Sequence, residues 1–380
     1  MKILILGSNL SSEAGGYSHS TFLLRDSLKK IKGNQVYTLG YWVSKFFHFE
    51  FSLSDKTSLF SFGIFKIFPF SILYYKKIKI IKPDIIDIQG LWNSASIFNF
   101  LYFKITSTPY IITPRGMLEK WALRRSFYRK FFFLNFLEKF NLKNAMCLRA
   151  TSRLEAETFK SLNINNKIIN VPNAIKISKF NLKIKNNTKK KKLLFLSRLH
   201  PKKGVSELLH AWKVIQDKNL DWELVICGFD ENNYKKSLLR LSEQLSLKRV
   251  FWLGAVYGEK KNKLYQSCDL FILLSHSENF GLVIAEALSF GLPVITTNQT
   301  PWIELNKKKC GWYIELKMKK IISTLNCAMK LSDAKRFRMG KRGRKWIIKD
   351  FSPNSVGQKM QKVYKWILKK GPKPKNLVVN

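Results

Sequence analysis

The sequence has 380 residues, a formal net charge of +43 and a hydrophobic content of 46%. This length exceeds the usual size of one hydrophobic core, so two domains are expected. Five cysteines without C-x-x-C spacing favour buried free thiols over a disulfide framework, and no cluster of histidines and acidic residues predicts a metal site. No uninterrupted apolar run reaches the roughly 20 residues of a membrane span.

Apolar strand candidates alternate with helical stretches along the first half of the chain. The opening MKILILGSNL is predicted to be a first strand and not a signal peptide, because its apolar part is short and lacks a cleavage-like site. A helix is predicted over 17–31. Further strands are predicted at Val36 to Leu39, Ile85 to Ile88, Tyr110 to Thr113 and Met146 to Ala150.

The second half repeats the alternation after a polar, basic run from Lys179 to Lys192, which predicts a linker. Strands are predicted near Leu193, Glu223, Val250, Leu270 and Val294, and a terminal helix over 356–369. Strands that alternate with helices in both halves predict an α/β protein with two doubly wound domains and mostly parallel sheets.

The most informative motif is the stretch from Ser275 to Gly291, SHSENFGLVIAEALSFG. It follows an apolar run predicted to be a buried strand, and Gly281 is predicted to begin a helix. Amides at a helix start lack intrahelical acceptors and favour an anion such as a diphosphate. Glu286, about 7.5 Å further along the helix axis, is spaced to accept both hydroxyls of a ribose, and Glu278 would face the sugar. The same spacing is compatible with two solvated glutamates.

A second motif, SRLHPKKG, connects a predicted strand over 192–196 to a predicted helix over 205–215. Arg198 offers a planar guanidinium and Lys203 a compact ammonium. That pair is suited to neutralising a leaving diphosphate. Lysine is abundant in this chain, so the spacing of Arg198 and Lys203 alone says little. It becomes informative because the motif lies on a predicted strand, loop and helix that precede the glutamates.

With these two motifs the chain resembles family 4 of the retaining glycosyltransferases. Gly15-Gly16 is similar to the family's amino-terminal glycine loop, and 113–123 resembles a segment of bacterial polysaccharide and lipopolysaccharide members. The resemblance implies the GT-B fold, with two Rossmann-like domains that face a central cleft. The boundaries expected from it are an acceptor domain over 1–178, a linker over 179–192, a donor domain over 193–355, and a helix and tail over 356–380 that return to the first domain.

The resemblance implies a retaining transfer from a nucleotide-diphosphate sugar to a glycan or lipid-linked acceptor in cell-surface polysaccharide biosynthesis, without a metal or other cofactor. Catalytic roles are expected for Arg198, Lys203, Glu278 and Asp87. Donor binding is expected at Gly15, Gly16, Gly228, Asn279, Phe280, Gly281, Leu282 and Glu286. Phe229 and Tyr257 follow strands at positions where a nucleobase would lie, and nothing selects the base. The alternatives are a nucleotide-sugar epimerase or hydrolase on the same scaffold, and a basic nucleic-acid-binding protein.

The first domain departs from the family, because Asp87, Gln89 and Arg115 stand where many relatives carry a histidine that contacts the donor sugar. Asp87 either replaces that histidine or is an ordinary strand-end carboxylate. Arg115 stays protonated and so cannot be a base, but it could bind a phosphate of a lipid-linked acceptor. His19 and His276 are possible substitutes, although packing or solvent exposure explains each more simply.

The positive charge has two explanations, a bias of composition toward lysine and attraction to an anionic membrane surface. The segment from Trp121 to Lys143 mixes basic and phenylalanine residues, and it could lie on a bilayer or form a core helix with a basic outer face. We expect a cytoplasmic protein, peripheral on the inner face of the cell membrane. Nucleic acid is not expected as a partner, because no recognised binding module accompanies the lysines.

Overall fold

The alternating strands and helices form two units in this computed structural model. Unit 1 comprises Met1–Ala174 and Phe351–Asn380, and unit 2 comprises Ile175–Asp350. The structure describes residues 1–10, 15–42, 57–61, 75–91, 94–119, 138–162, 167–178, 180, 182, 190–230, 232–375 and 377–378. The segment 179–192, predicted as a linker, falls within unit 2, where Phe180 stacks on Phe290.

The strands of the described residues, in chain order, are β1 (Lys2–Asn9), β2 (Gln35–Trp42), β3 (Thr57–Ser61), β4 (Ile85–Gln89), β5 (Tyr110–Thr113), β6 (Cys147–Ala150), β7 (Ile168–Asn170), β8 (Lys191–Leu196), β9 (Trp222–Cys227), β10 (Val250–Gly254), β11 (Leu270–Leu273), β12 (Val294–Thr297), β13 (Gly311–Ile314) and β14 (Leu377–Val378). Short 3₁₀ turns cover Pro201–Lys203 and Gln216–Lys218.

The helices of the same residues are α1 (Gly16–Lys29), α2 (75–81), α3 (Ser94–Thr106), α4 (Lys139–Asn144), α5 (Arg153–Ser161), α6 (Val205–Ile215), α7 (Tyr234–Gln244), α8 (Gly258–Ser267), α9 (Leu282–Ser289), α10 (Glu304–Lys307), α11 (Met318–Met329), α12 (Asp333–Phe351) and α13 (Pro353–Ile367).

The sheet of unit 1 has the order β14-β7-β6-β5-β4-β1-β2-β3 and is parallel except for the short β14. Successive side chains of its strands enter opposite faces, so Ile86 and Ile88 belong to one apolar cluster while Ile85 belongs to the other. The second cluster is completed by apolar side chains of α1 and α13. Both faces are therefore covered, which is why the strands are apolar along nearly their whole length.

The sheet of unit 2 has the order β10-β9-β8-β11-β12-β13, and all of its pairs are parallel. The chain moves outward from β8 through β9 to β10, and then returns to the other side of β8 with β11. The strand order thus reverses between β8 and β11, and in unit 1 it reverses between β1 and β4. Open α/β sheets bind ligands beyond the carboxyl ends of the strands at such reversals. The predicted α/β architecture with mostly parallel, doubly wound sheets is confirmed.

Candidate active site

The loops that follow β8 and β11 meet at the point where the strand order of unit 2 reverses. Lys203 from the first loop forms an ion pair with Oε1 of Glu278 from the second. Ser275 Oγ donates to the same oxygen over 2.9 Å. Each of the paired side chains is only 12% exposed. Two residues that the sequence motifs singled out 75 positions apart are therefore in direct contact.

A tight turn places Lys203 against the end of β11. The 3₁₀ turn Pro201–Lys203 begins where His200 Nδ1 accepts from the amide of Lys202 at 3.0 Å. Gly204 then has φ 70°, and a Cβ there would lie 2.1 Å from the carbonyl oxygen of Leu274. Only glycine allows both this left-handed conformation and this close approach. The two loops are also joined by the amide of His276, which donates to the carbonyl of Lys202 over 2.8 Å.

Gly281 precedes α9 with φ 72° and is its N-cap, and among the described residues no side chain forms a capping hydrogen bond at this helix end. The first amides of the helix therefore remain available to an anion. Trp302, which is 2% exposed, donates from Nε1 to the carbonyl of Phe280 over 2.6 Å and packs edge-on against its ring. The backbone just before the helix is thus fixed by a buried indole.

Glu286 lies on α9 with its carboxylate held by two side chains of α8. Tyr265 donates its hydroxyl to Oε2 over 2.9 Å, and Lys261 Nζ contacts the same oxygen at 2.7 Å. Burial, followed by the charge of Glu286, raises the pKa of Tyr265 well above its ordinary value. The sequence motifs identified Glu286 but missed both partners, which have the i, i+4 spacing of any pair on one helix face.

The other residues predicted on unit 2 surround this arrangement. Arg198 is exposed on the loop after β8, and Asn279 lies between Glu278 and the start of α9. Gly228 follows β9, and a Cβ there would lie 1.7 Å from the carbonyl oxygen of Ser197. Glycine there lets two strand ends approach closely. Phe229 and Tyr257, predicted near the nucleobase, are 57% and 68% exposed.

In unit 1, Gly15 and Gly16 lie at the start of α1, both exposed, with Gly15 at φ 57° as the N-cap. This helix start follows β1, next to the carboxyl end of β4. Tyr17 donates its hydroxyl to the carbonyl of Gln89, the last residue of β4, over 2.6 Å. The glycine loop and the end of β4 are therefore neighbours, as expected for the two sides of a strand-order reversal.

The structure places Asp87, for which a catalytic role is predicted, inside unit 1. Its side chain has no exposure, because strand alternation turns it toward the face of the sheet that α1 and α13 cover. Tyr364 on α13 donates its hydroxyl to Oδ2 over 2.6 Å, and Gln89 Nε2 donates to Oδ1 over 2.5 Å. Burial raises the pKa of Asp87 above its ordinary value. Asp87 is a buried carboxyl with protein partners, and its catalytic role stays a prediction.

Arg115, predicted to bind a phosphate, has acceptors within unit 1 for all five of its N–H groups. Nε and Nη2 donate to Gln89 Oε1 over 2.8 and 2.5 Å. Nη1 donates to Ser20 Oγ at 2.5 Å and Asn173 Oδ1 at 3.1 Å, and Nη2 also donates to Thr21 Oγ1 at 3.2 Å. Burial lowers the pKa of Arg115 to about 10. The guanidinium is a fixed structural centre.

Other features predicted from the sequence lie partly outside the described residues. Most of the segment from Trp121 to Lys143 lies outside the described residues, and its described end includes α4. No helix in the described ranges is long and apolar enough to cross a membrane. Within the same ranges, no group of three or more metal-ligating side chains was found. The five cysteines are free, and four of them are buried as predicted, whereas Cys327 is exposed.

One known protein family matches most of unit 2. Residues 177–346 match the model of the family described as glycosyl transferases group 1. Unit 2 is therefore similar to the glycosyl transferases group 1 family. The match covers nearly all of this unit and includes Lys203, Glu278 and Glu286, the residues that the geometry brings together.

Two curated relatives show how far this similarity extends along the chain. An uncharacterized glycosyltransferase of Methanocaldococcus jannaschii is 34% identical over 118 residues, which are 31% of this chain and 30% of the relative. The N,N'-diacetylbacillosaminyl-diphospho-undecaprenol alpha-1,3-N-acetylgalactosaminyltransferase of Campylobacter jejuni is 25% identical and aligns over 83% of this chain and 87% of its own. The chain spans less than half the length of the first relatives that it matches.

Solved structures similar to this one share its fold. Sucrose-phosphate synthase from Thermosynechococcus elongatus has a TM-score of 0.77 and 16% identity, with 97% of this chain and 100% of that chain covered. HepE from Anabaena in complex with UDP-glucose has a TM-score of 0.72 and 17% identity, with 96% and 100% covered. At these identities the likeness shows the fold alone, and it confirms the GT-B fold predicted from the sequence.

Proposed function

We propose that this protein is a retaining glycosyltransferase that moves a sugar from a nucleotide-diphosphate donor to a glycan or lipid-linked acceptor in cell-surface polysaccharide biosynthesis. The observation that carries the proposal is the Lys203–Glu278 pair, because it joins a cation and a carboxylate where the strand order reverses, beside the uncapped start of α9. A diphosphate and the sugar attached to it require these two kinds of group side by side.

In this reaction the bond from the anomeric carbon to the diphosphate oxygen breaks, and a bond to the acceptor hydroxyl oxygen forms on the same face of the sugar. The departing phosphate oxygen takes the proton of that hydroxyl. Lys203, Arg198 and the amides that begin α9 would stabilise the negative charge on the leaving diphosphate, the kind of preorganised electrostatic effect that often dominates catalysis. No residue is required as a general base, so the burial of Asp87 is compatible with the reaction.

The two glutamates would hold different parts of the donor. Glu278 shares its Oε1 with Lys203 and Ser275, and its remaining oxygen can accept from hydroxyls of the transferred sugar. Glu286 would accept from the ribose. The relatives support this assignment of substrate class, since the Campylobacter jejuni protein is named for transfer to an undecaprenol-linked acceptor and the HepE structure contains UDP-glucose.

The test is a panel of uridine, guanosine and adenosine diphosphate sugars, with thermal stability of the protein as the first measurement. We expect one class of donor to raise the melting temperature. Product is then sought with lipid extracts by mass spectrometry, and its anomeric configuration is determined by NMR. A product of inverted configuration would exclude retention, and donor hydrolysis or epimerisation without an acceptor would favour the alternative enzyme. Stabilisation by none of the nucleotides or sugars would contradict the proposal.

We also propose an anionic membrane surface as a partner, with the protein peripheral on the inner face of the cell membrane. The net charge of +43 supports this, because a lysine near anionic lipid contributes on the order of 1 kcal/mol. The measurement is cosedimentation with vesicles of phosphatidylcholine alone or with added phosphatidylglycerol. Binding should require the anionic lipid and weaken with salt. Equal recovery with both vesicles would contradict the electrostatic explanation.

A further inference from the structure

The carboxylate of Glu286 is held asymmetrically. Lys261 and Tyr265 both contact Oε2, at 2.7 and 2.9 Å, and in the described part of the chain no side chain forms a hydrogen bond or ion pair with Oε1. Both partners come from α8, where they are one helical turn apart and so share a face. One side of the carboxylate is therefore bound within the protein, and the other oxygen is open to a ligand.

The surroundings make this contact a rigid one. Tyr265 is 1% exposed, and its ring stacks on Phe290 at a centroid distance of 5.1 Å with 13° between the ring planes. Its hydroxyl has no freedom to swing to solvent, so the bond to Glu286 fixes where that carboxylate points. Lys261 is 25% exposed and Glu286 is 18% exposed, so both reach the surface of the site from a partly buried position.

An ammonium group has three donors and a carboxylate oxygen is an acceptor only. Lys261 uses one donor on Glu286. A hydroxyl placed between the two could donate to Oε1 of Glu286 and accept a second donor of Lys261. If one side chain accepts a hydrogen bond from the hydroxyl and the other donates one to it, an analogue without that hydroxyl binds more weakly. The site's polar groups are then left unpaired.

We propose that Lys261 and Tyr265 are positioning residues for Glu286, and that the three side chains together make the site selective for a ribonucleotide over a deoxyribonucleotide. The inference rests on the proposed function, in which Glu286 contacts the ribose of the donor. Tyr265 acts by orienting the carboxylate. Lys261 acts by orienting it and by contacting the ribose hydroxyl itself.

The experiment measures Kd by calorimetry for uridine, guanosine and adenosine diphosphates and for their 2′-deoxy and 3′-deoxy forms. The full-length wild type is compared with Tyr265→Phe, Lys261→Met and Glu286→Gln. Exposed Lys260 on the same helix supplies the control, Lys260→Met. Tyr265→Phe keeps the ring that stacks on Phe290 and removes only the hydroxyl, so we expect the fold to be retained.

We expect the wild type to bind one ribonucleotide at least tenfold more tightly than one of its deoxy forms. Tyr265→Phe and Lys261→Met should each reduce this ratio of Kd values by about threefold to tenfold. Lys260→Met should leave the ratio unchanged. In the Glu286→Gln background, Tyr265→Phe should have no further effect on the ratio, because the tyrosine acts through that carboxylate. Turnover at saturating donor should change less than KM in both single variants.

The outcomes separate this inference from the proposed function. If no nucleoside diphosphate binds the wild type, the proposed function fails and the inference with it. If a ribonucleotide binds but the variants keep the wild-type ratio, the inference alone is overturned. A fall in melting temperature without a change in the ratio would likewise assign the two residues a structural role and overturn it.

Discussion

Replacement of Lys203 by Met tests whether the central ion pair acts in catalysis or only in folding. The change removes the cation and keeps much of the aliphatic volume. Glu278 then retains Ser275 as its partner, at 2.9 Å, inside a site where its side chain is 12% exposed. We expect turnover to fall because the cation that faces the leaving diphosphate is lost.

Two effects of different size are expected from the structure. Loss of one partner of a fully buried pair costs about 3–5 kcal/mol of stability. The residual exposure and the bond from Ser275 lower this to about 1–3 kcal/mol, the range for one unpaired polar group. Loss of one preorganised group at a developing negative charge lowers turnover by about 10²–10³-fold.

A second substitution separates the two effects. In the double variant Lys203→Met with Glu278→Gln, no unpaired charge remains, so we expect most of the stability to return. Turnover should stay low, because neither the cation nor the ionised carboxylate is present. The measurements are chemical denaturation and steady-state kinetics with the donor found by the panel. Lys213→Met, an exposed lysine of α6, is the matched control. Near wild-type turnover in Lys203→Met, or its recovery in the double variant, would refute the assigned role.

Three further substitutions test the remaining structure. Asp87→Asn should leave turnover unchanged. Because burial raises the pKa of the native carboxyl, its contribution to stability is present below about 3.8, the ordinary pKa, and is lost as pH rises above it. Thermal denaturation measured against pH should show that this loss is absent in the variant. Gly228→Ala, with its Cβ 1.7 Å from the Ser197 carbonyl, should lose about 1–3 kcal/mol in urea denaturation. Trp302→Phe, which removes the indole donor to the Phe280 carbonyl, should weaken donor affinity in calorimetry, and unchanged affinity would show that this contact does not shape the site.

The sequence predicts most of the fold because its strands are continuous apolar runs and its helices carry polar faces. Strands β1, β4, β8 and β11 lie close to their predicted positions. Strand β13 was missed. It has only four residues and begins with Gly311, which sequence patterns assign to a turn. The structure gives the reason for that glycine, since a Cβ would lie 2.2 Å from the carbonyl oxygen of Val294 on the neighbouring strand.

The geometry of the candidate site can be predicted from the sequence only where the residues concerned lie within one motif. The positions of Gly281 and Glu286 on one helix follow from spacing within a single segment. The contact between Lys203 and Glu278 depends on β8 and β11 being neighbours, and the order of strands in a sheet is a long-range property. Lys261 contacts Glu286 for the same kind of reason, because α8 and α9 pack together and neither sequence segment shows it.

Asp87 and Arg115 are bonded within unit 1 for a common physical reason, and it bears on acceptor recognition. Asp87 and Arg115 are polar residues near strand ends, a pattern that indicates a site, yet the fold supplies partners from distant segments, including Tyr364 on α13. A side chain whose donors or acceptors are all satisfied inside the core has little to offer a ligand. Among the residues predicted on this unit, the exposed ones are Gly15 and Gly16 at the start of α1. We therefore expect contacts between unit 1 and the substrates to rely on backbone amides at this helix start and to persist in an Asp87→Asn variant.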